Sequence, residues 1–101
     1  MHRYVKISEV MVTLQVDESL VRHLAADEII QLKETAEGDW LLSVDDAERV
    51  RVVHLLTSEL EVNWPGVEVI MHMRESMVSM QRQFSEILEA LVEEGRRQTR
   101  R

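Results

Sequence analysis

The apolar positions at the start of the chain change from alternation to helical spacing. Val5 and Ile7 alternate with polar side chains, which predicts a short strand. From Ser8, the expected N-cap, apolar residues recur at helical spacing to Leu14, and a second such pattern follows Asp17, which is predicted to cap it. Two short helices joined by a tight connection predict a helix-turn-helix.

Two short apolar runs follow, at 29–32 and 40–44, and a polar segment with one glycine separates them. This arrangement predicts a β-hairpin, which in a helix-turn-helix protein is a wing. Residues 43–62 then have the pattern of an amphipathic helix, with Ser43 or Asp45 as its N-cap and acidic side chains in its first turn. The pattern therefore predicts a winged helix-turn-helix followed by a third helix.

The last predicted helix begins at Asn63, which is expected to cap it. Pro65 falls in the first turn, where its missing N–H removes no helical hydrogen bond, whereas Gly66 is left without a clear physical role. Gly95 is predicted to end the helix, which would then extend for roughly 45 Å at about 1.5 Å per residue.

One side of this last helix carries an apolar stripe whose steps alternate between three and four residues. The stripe consists of Ile70, Met73, Met77, Met80, Phe84, Ile87 and Leu91. Such an a/d heptad pattern favours a coiled-coil core over an adaptable methionine-lined groove, which is the alternative for the methionines. Because the rest of the chain is too short to cover the stripe, the pattern predicts a homodimer, with helices either parallel or antiparallel.

These patterns divide the chain into three segments. They are an acidic head at 1–62, a dimerisation helix at 63–95 and a basic flexible tail at 96–101. The tail carries four arginines without an apolar face, which favours a frayed end over an arm that binds nucleic acid or lipid.

The excess of acidic side chains is confined to the head. Residues 1–62 carry six basic and thirteen acidic side chains, whereas residues 63–101 carry six of each, so the head accounts for the whole formal charge of −7. An acidic surface repels nucleic acid, whose affinity depends on phosphate contacts, and favours a basic partner. A purely solubilising role for this charge is the alternative.

The sequence lacks the patterns typical of catalytic and metal sites. It has no cysteine, its serines lack a nucleophile-elbow setting, and its three glycines form no phosphate loop. The nearest approach to a metal motif is the single pair His23 and Asp27. We therefore expect no catalytic residue, no metal, no cofactor and a non-enzymatic function. Without a long apolar span or signal segment, a cytoplasmic protein with no membrane contact is expected.

The segment LTSELEVNWPGVEVIMHMRESM resembles the corresponding stretch of the CbpM chaperone-modulator family, where an L-x-x-E-L-x-x-[D/N]-W-P-G-[I/V] run precedes an apolar helix. Trp64-Pro65-Gly66 is its most specific part. The run WLLSVDDAERVRVVHLL is also similar to the family pattern, through Asp46 and Ala47 among others. The implied fold is mainly α, with a MerR-like winged helix-turn-helix head, a small β-hairpin wing and a long C-terminal dimerisation helix.

The resemblance to CbpM implies a function that composition alone does not. Members bind the J-domain of a DnaJ-like co-chaperone, CbpA, hold it off its DnaK partner and weaken its DNA binding. J-domains engage DnaK through a basic helix, which an acidic head could cover by charge complementarity. From charge, the docking face is predicted to comprise Glu9, Asp17, Glu18, Asp27, Glu28 and Asp39.

A MerR-like DNA-binding transcriptional regulator is the alternative function. MerR regulators usually carry an Arg-Tyr-Tyr-Glu-like run in the second helix, whereas this chain has VRHLAADEI, in which Arg22 is the strong cation. DNA is therefore not the expected partner. A dimeric adaptor for an unrelated protein also remains open.

Overall fold

A computed structural model describes residues 3–99 of the chain. Its elements are β1 Tyr4–Lys6, α1 Ile7–Leu14, α2 Glu18–Ala26, β2 Lys33–Glu34, β3 Trp40–Ser43, α3 Val44–Ser58 and α4 Trp64–Thr99. Helices dominate, a small sheet accompanies them, and one long helix ends the described part. This confirms the predicted fold class.

The chain divides into two compact units, Met1–Val67 and Glu68–Arg101. The first unit, here called the head, is five residues longer than the predicted acidic head. It gains the start of α4 because the side chain of Val67 is fully buried. The head core is formed by the buried apolar residues Val10, Val16, Val21, Leu24, Ile30, Leu42, Val50, Val53, Leu56 and Val67.

The two helices of the helix-turn-helix meet at a left-handed residue. Gln15 has φ 57° and its backbone N–H donates to the carbonyl of Met11, which ends α1. The expected cap at Ser8 is wrong, because α1 already begins after Lys6, whose side chain makes no capping bond. Asp17 does occupy the N-cap position of α2, but its carboxylate makes no capping hydrogen bond.

The wing begins later than predicted, because residues 29–32 do not form a strand. The backbone N–H groups of Ile29 and Ile30 both donate to the carbonyl of Leu24, at 2.9 and 3.4 Å, and so close the end of α2. The Ile30 side chain is buried in the head core. Ile30 is apolar because it packs in the core, and the backbone N–H groups of Ile29, Ile30 and Gln31 have partners outside the sheet. The second predicted strand is confirmed as β3.

β3 is the central strand of a three-stranded antiparallel sheet with the order β1-β3-β2. On one side Val5 pairs with Leu42, and on the other Lys33 pairs with Leu41. The N-terminal strand therefore joins the wing, which fixes the wing against the start of the helix-turn-helix.

A buried carboxylate connects the wing to α3. Ser43 is the N-cap of α3, and its Oγ accepts the backbone N–H of Asp46 at 3.0 Å, which confirms one of the two predicted caps. The Asp46 side chain accepts the backbone N–H of Gln31 at 3.0 Å and a guanidinium N–H of Arg49 at 2.7 Å. Asp46 is 8% exposed, so these bonds are shielded from water.

The start of α4 shows why a glycine follows the tryptophan and proline. Asn63 Oδ1 accepts the backbone N–H of Gly66 at 2.9 Å, which confirms Asn63 as the helix cap. A Cβ at Gly66 would lie 2.8 Å from Cγ1 of Val62 and 3.0 Å from this capping oxygen. A side chain at position 66 would therefore overlap Val62 and the capping Asn63, which explains why a glycine is found there.

The last helix does not end at Gly95. α4 extends to Thr99, whose hydroxyl donates to the carbonyl of Gly95, and Arg97 pairs with Glu94 at 3.9 Å. A glycine inside a helix costs about 1 kcal/mol, which residues favourable to helix on both sides outweigh. In the predicted tail, residues 96–99 are therefore helical, and residues 100–101 lie outside the described part.

Replacing Asp46 by alanine should lower the free energy of unfolding by about 1–3 kcal/mol, because it removes the acceptor of the part-buried Gln31 N–H bond and the carboxylate that pairs with Arg49. Urea unfolding followed by circular dichroism measures the loss. Asp45→Ala is the matched control, since Asp45 is exposed in the same helical turn, and it should cost less than about 1 kcal/mol. Equal losses of stability in the two variants would show that the bonds of Asp46 to Gln31 and Arg49 do not stabilise the head.

Gly66→Ala and Gly95→Ala should have opposite effects on stability, although both replace a helical glycine. At Gly66 the overlap with Val62 and Asn63 should outweigh the propensity gain and lower the free energy of unfolding by about 1 kcal/mol or more. At Gly95 a Cβ would meet nothing within 4 Å, so alanine should raise the free energy of unfolding by up to about 1 kcal/mol. Stabilisation by Gly66→Ala would refute this explanation of the glycine.

Candidate partner-binding surface

The six acidic residues predicted as a docking face are all exposed, but they do not form one cluster. Glu9 lies on α1, Asp17 and Glu18 at the start of α2, Asp27 and Glu28 just after α2, and Asp39 beside β3. Four of them line clefts in the described part of the head: Glu18 and Asp39 line one cleft, Asp17 a second and Glu9 a third, whereas Asp27 and Glu28 line none of these three. The docking face remains a prediction, and its members have different surroundings.

The first cleft, of about 330 Å³, lies between the helix-turn-helix and the wing. Its apolar lining includes Ile7, Met11, Val21, Leu32 and Trp40. Glu18 and Asp39 both border it, and each already has a cation of the same chain. Arg22 binds Glu18 at 2.6 Å, and Lys6 lies 3.8 Å from Asp39. Exposed pairs of this kind contribute little stability, so a partner could exchange with them at small cost.

The second cleft, of about 400 Å³, is formed by the start of α2, the end of α3 and the first residue of α4. We call it the Trp64 cleft. Its lining comprises Gln15, Asp17, Ser19, Leu20, His23, His54, Thr57, Ser58 and Trp64. Of the predicted docking residues, Asp17 lines it directly.

The indole of Trp64 is held in the Trp64 cleft by two residues of the α2 region. The His23 ring stacks on it with centroids 3.9 Å apart and an interplanar angle of 17°. The indole N–H donates to Oδ2 of Asp27 at 2.6 Å, and the same oxygen lies 3.7 Å from Nε2 of His23. The stacking and the hydrogen bond thus connect the first residue of α4 to α2 and its C-cap.

Two further side chains complete the Trp64 cleft. His54, on α3, is half-buried, and its Nδ1 lies 3.1 Å from the hydroxyl of Ser58. Sequence reasoning missed the grouping of His23, His54 and Trp64, because they are far apart in the chain. The sequence did show the i, i+4 spacing of His23 and Asp27, the two residues that contact the Trp64 indole.

The third cleft, of about 320 Å³, is lined by Glu9 together with apolar residues of β1, α1 and α3. Glu48 and Arg51 lie at its border. Hydrogen bonds and the negative charge of Glu48 raise the pKa of Arg51, so this guanidinium is engaged within the chain.

The arginines of the head that could favour DNA binding have carboxylate partners. Arg22 binds Glu18, Arg49 binds Asp46 and Arg51 binds Glu48. Phosphate binding requires cations that can neutralise the backbone charge. Arg22 lies on the helix-turn-helix and Arg49 and Arg51 lie on α3, and each has a carboxylate close enough to offset its positive charge.

The stripe of α4 lies in the second unit. Its residues from Met73 to Leu91 are 57–68% exposed, whereas Ile70 is half-buried. The exposed members are Met73, Met77, Met80, Phe84, Ile87 and Leu91. A series of large apolar side chains with such exposure marks an interaction surface.

Residues 3–99 contain neither a candidate metal site nor a candidate membrane span. No group of three or more histidine or acidic side chains in this range could hold a metal ion. Over the same residues, no helix combines the length and the apolar character needed to cross a membrane.

The chain matches the family model described as MerR HTH family regulatory protein over residues 5–89. A comparison with curated proteins finds no match. The matched range includes the helix-turn-helix, the wing, α3 and most of α4, which is also the region where the fold described above is found. The chain therefore belongs to the MerR helix-turn-helix regulatory protein family.

Proposed function

We propose that this member of the MerR family is a non-enzymatic chaperone modulator of the CbpM type, which binds the J-domain of a DnaJ-like co-chaperone (CbpA). The observation that carries the proposal is the excess of acidic side chains in the head, where Arg22, Arg49 and Arg51 each lie beside a carboxylate of the same helix. Such a surface attracts a basic protein and repels a phosphate backbone. The proposal entails a cytoplasmic protein.

The proposed mechanism is competition for one face of the J-domain. As the resemblance implies, J-domains use a basic helix to engage DnaK. A head that covers this helix would exclude DnaK, because the two partners cannot occupy one surface together. Inhibition then requires affinity and no chemical step, which agrees with the lack of a catalytic motif in the sequence.

The Trp64-Pro65-Gly66 run supports the narrower family assignment. Its residues have distinct positions in the head: Trp64 stacks on His23, Pro65 occupies the first turn of α4, and Gly66 lies where a Cβ would overlap the cap. Because each of the three positions has its own steric or hydrogen-bonding requirement, other residues would not easily replace this run. Its likeness to the CbpM pattern is therefore informative.

We further propose that the protein is a homodimer through α4. A helix of 36 residues is about 54 Å long, and its exposed a/d stripe needs a partner of similar length and periodicity. A second copy of α4 supplies the same pattern. The stripe is the support for this proposal, since heptad seams are self-complementary.

The modulator proposal predicts that the protein binds the isolated J-domain of its cognate DnaJ-like co-chaperone. Isothermal titration at low salt should give a measurable affinity that weakens with added salt. Reversal of charge in Asp17→Lys/Glu18→Lys should weaken it at least about tenfold, whereas Asp45→Lys, a reversal outside the predicted face, should leave it within about twofold.

Two results would contradict this proposal. One is the absence of binding to the J-domain at low salt. The other is a gel shift of the protein's own promoter fragment that weakens steeply with salt, which is the signature of a DNA-binding regulator. Binding to an unrelated protein but not to the J-domain would favour the adaptor alternative.

The dimer proposal predicts that Met80→Glu dissociates the protein, because it places a charge inside the apolar seam. The neighbouring Ser79→Glu introduces the same charge at an exposed position outside the stripe and should leave the dimer intact. Sedimentation equilibrium at micromolar concentration, within the range of ordinary dimer affinities, distinguishes the two. A monomeric wild-type protein under these conditions would refute the dimer.

A further inference from the structure

The Trp64 cleft contains a carboxylate that the described residues leave without a partner. Asp17 is the N-cap of α2, yet its side chain makes no capping bond, and it forms no ion pair within residues 3–99. Glu18 and Asp39, which border the first cleft, are both paired with cations of the chain. Asp17 is therefore better able than these two to accept a cation from another molecule.

The end of α3 adds to the negative potential of the Trp64 cleft. Thr57 and Ser58, from its last turn, line the cleft, and that turn contains no basic side chain. Carbonyl groups at a helix C-terminus carry partial negative charge, which favours a nearby cation. The start of α2 lines the same cleft and carries the opposite partial charge, so the full negative charge of Asp17 makes the net potential of the cleft negative.

The Trp64 ring provides a fixed aromatic wall for the same space. His23 covers one face of the indole and Asp27 binds its N–H, so the orientation of the ring is set before any partner arrives. A group that is already oriented loses little conformational entropy on binding. Such a wall next to a carboxylate favours a planar cation, which can stack on the ring and pair with the acid.

We infer that the Trp64 cleft binds an arginine side chain presented by the basic partner. This inference rests on the proposed function, because it names the position on the head where that partner is recognised. Arginine fits better than lysine, since its guanidinium is planar and forms bidentate bonds to a carboxylate, whereas an ammonium is a strongly hydrated point charge. A volume of about 400 Å³ accommodates one such side chain and water.

The experiment compares Asp17→Asn with Asp45→Asn in titrations against the cognate J-domain. The two substitutions are chemically identical, and Asp17→Asn should preserve the fold because the native carboxylate makes no capping bond. Asp17→Asn is expected to weaken binding about tenfold, and Asp45→Asn by less than about twofold. Circular dichroism of both variants confirms that they are folded.

A double-mutant cycle identifies the arginine of the partner. Each arginine of the basic helix of the J-domain is changed to lysine and titrated against wild-type protein and Asp17→Asn. One of these changes should weaken binding to the wild type severalfold and have little further effect on Asp17→Asn, because both remove the same contact. Additive effects at every arginine would overturn the inference.

Fluorescence gives a readout that does not depend on charge removal. In Trp40→Phe, Trp64 is the remaining tryptophan, so its emission reports on the cleft. The J-domain should change this emission, and the J-domain with the identified arginine replaced by lysine should change it less. Unchanged emission together with full affinity of Asp17→Asn would overturn the cleft and leave the proposed function standing. Failure of the wild-type protein to bind the J-domain at all would overturn both.

Discussion

The buried carboxylate of Asp46 is the interaction on which the arrangement of the head depends. The carboxylate accepts the N–H of Gln31, in the segment that leads into the wing. The backbone N–H of Asp46 itself donates to Ser43, the N-cap of α3, so Asp46 connects the two segments. Because the Asp46 carboxylate is buried, its hydrogen bonds are partly shielded from water and their loss is costly. Together with the pairing of β1 and β3, this side chain holds the wing next to the helix-turn-helix.

The junction between α3 and α4 depends on a second set of contacts, centred on Trp64. Asn63 caps the helix, and Gly66 lets the chain approach that cap closely. The indole then reaches back to α2 and stacks on His23. A segment that looks like a helix breaker in the sequence is therefore a helix start, and it brings together the residues of the Trp64 cleft.

Three arginines of the head, Arg22, Arg49 and Arg51, lie beside carboxylates of the same chain. A helix-turn-helix that binds DNA needs cations available to phosphate. Here Arg22, Arg49 and Arg51 are bound by acidic residues three or four positions away on the same helix. Such pairs are visible in a sequence as spacing, since residues three and four apart are neighbours on a helix. In this chain the family fold is thus combined with an excess of acidic side chains in the head.

The sequence by itself determined the features that depend on local chemistry: the helical periods, the caps at Ser43 and Asn63, the strand β3, the exposed heptad stripe and the excess of acid in the head. Tertiary structure decided the rest. Residues 29–32 look like a strand because they are apolar, but only the packed head shows that their backbone closes α2. The Trp64 cleft likewise joins residues up to 49 positions apart, from Gln15 to Trp64. No local period encodes such a contact, because it exists only when separate helices pack on a shared core.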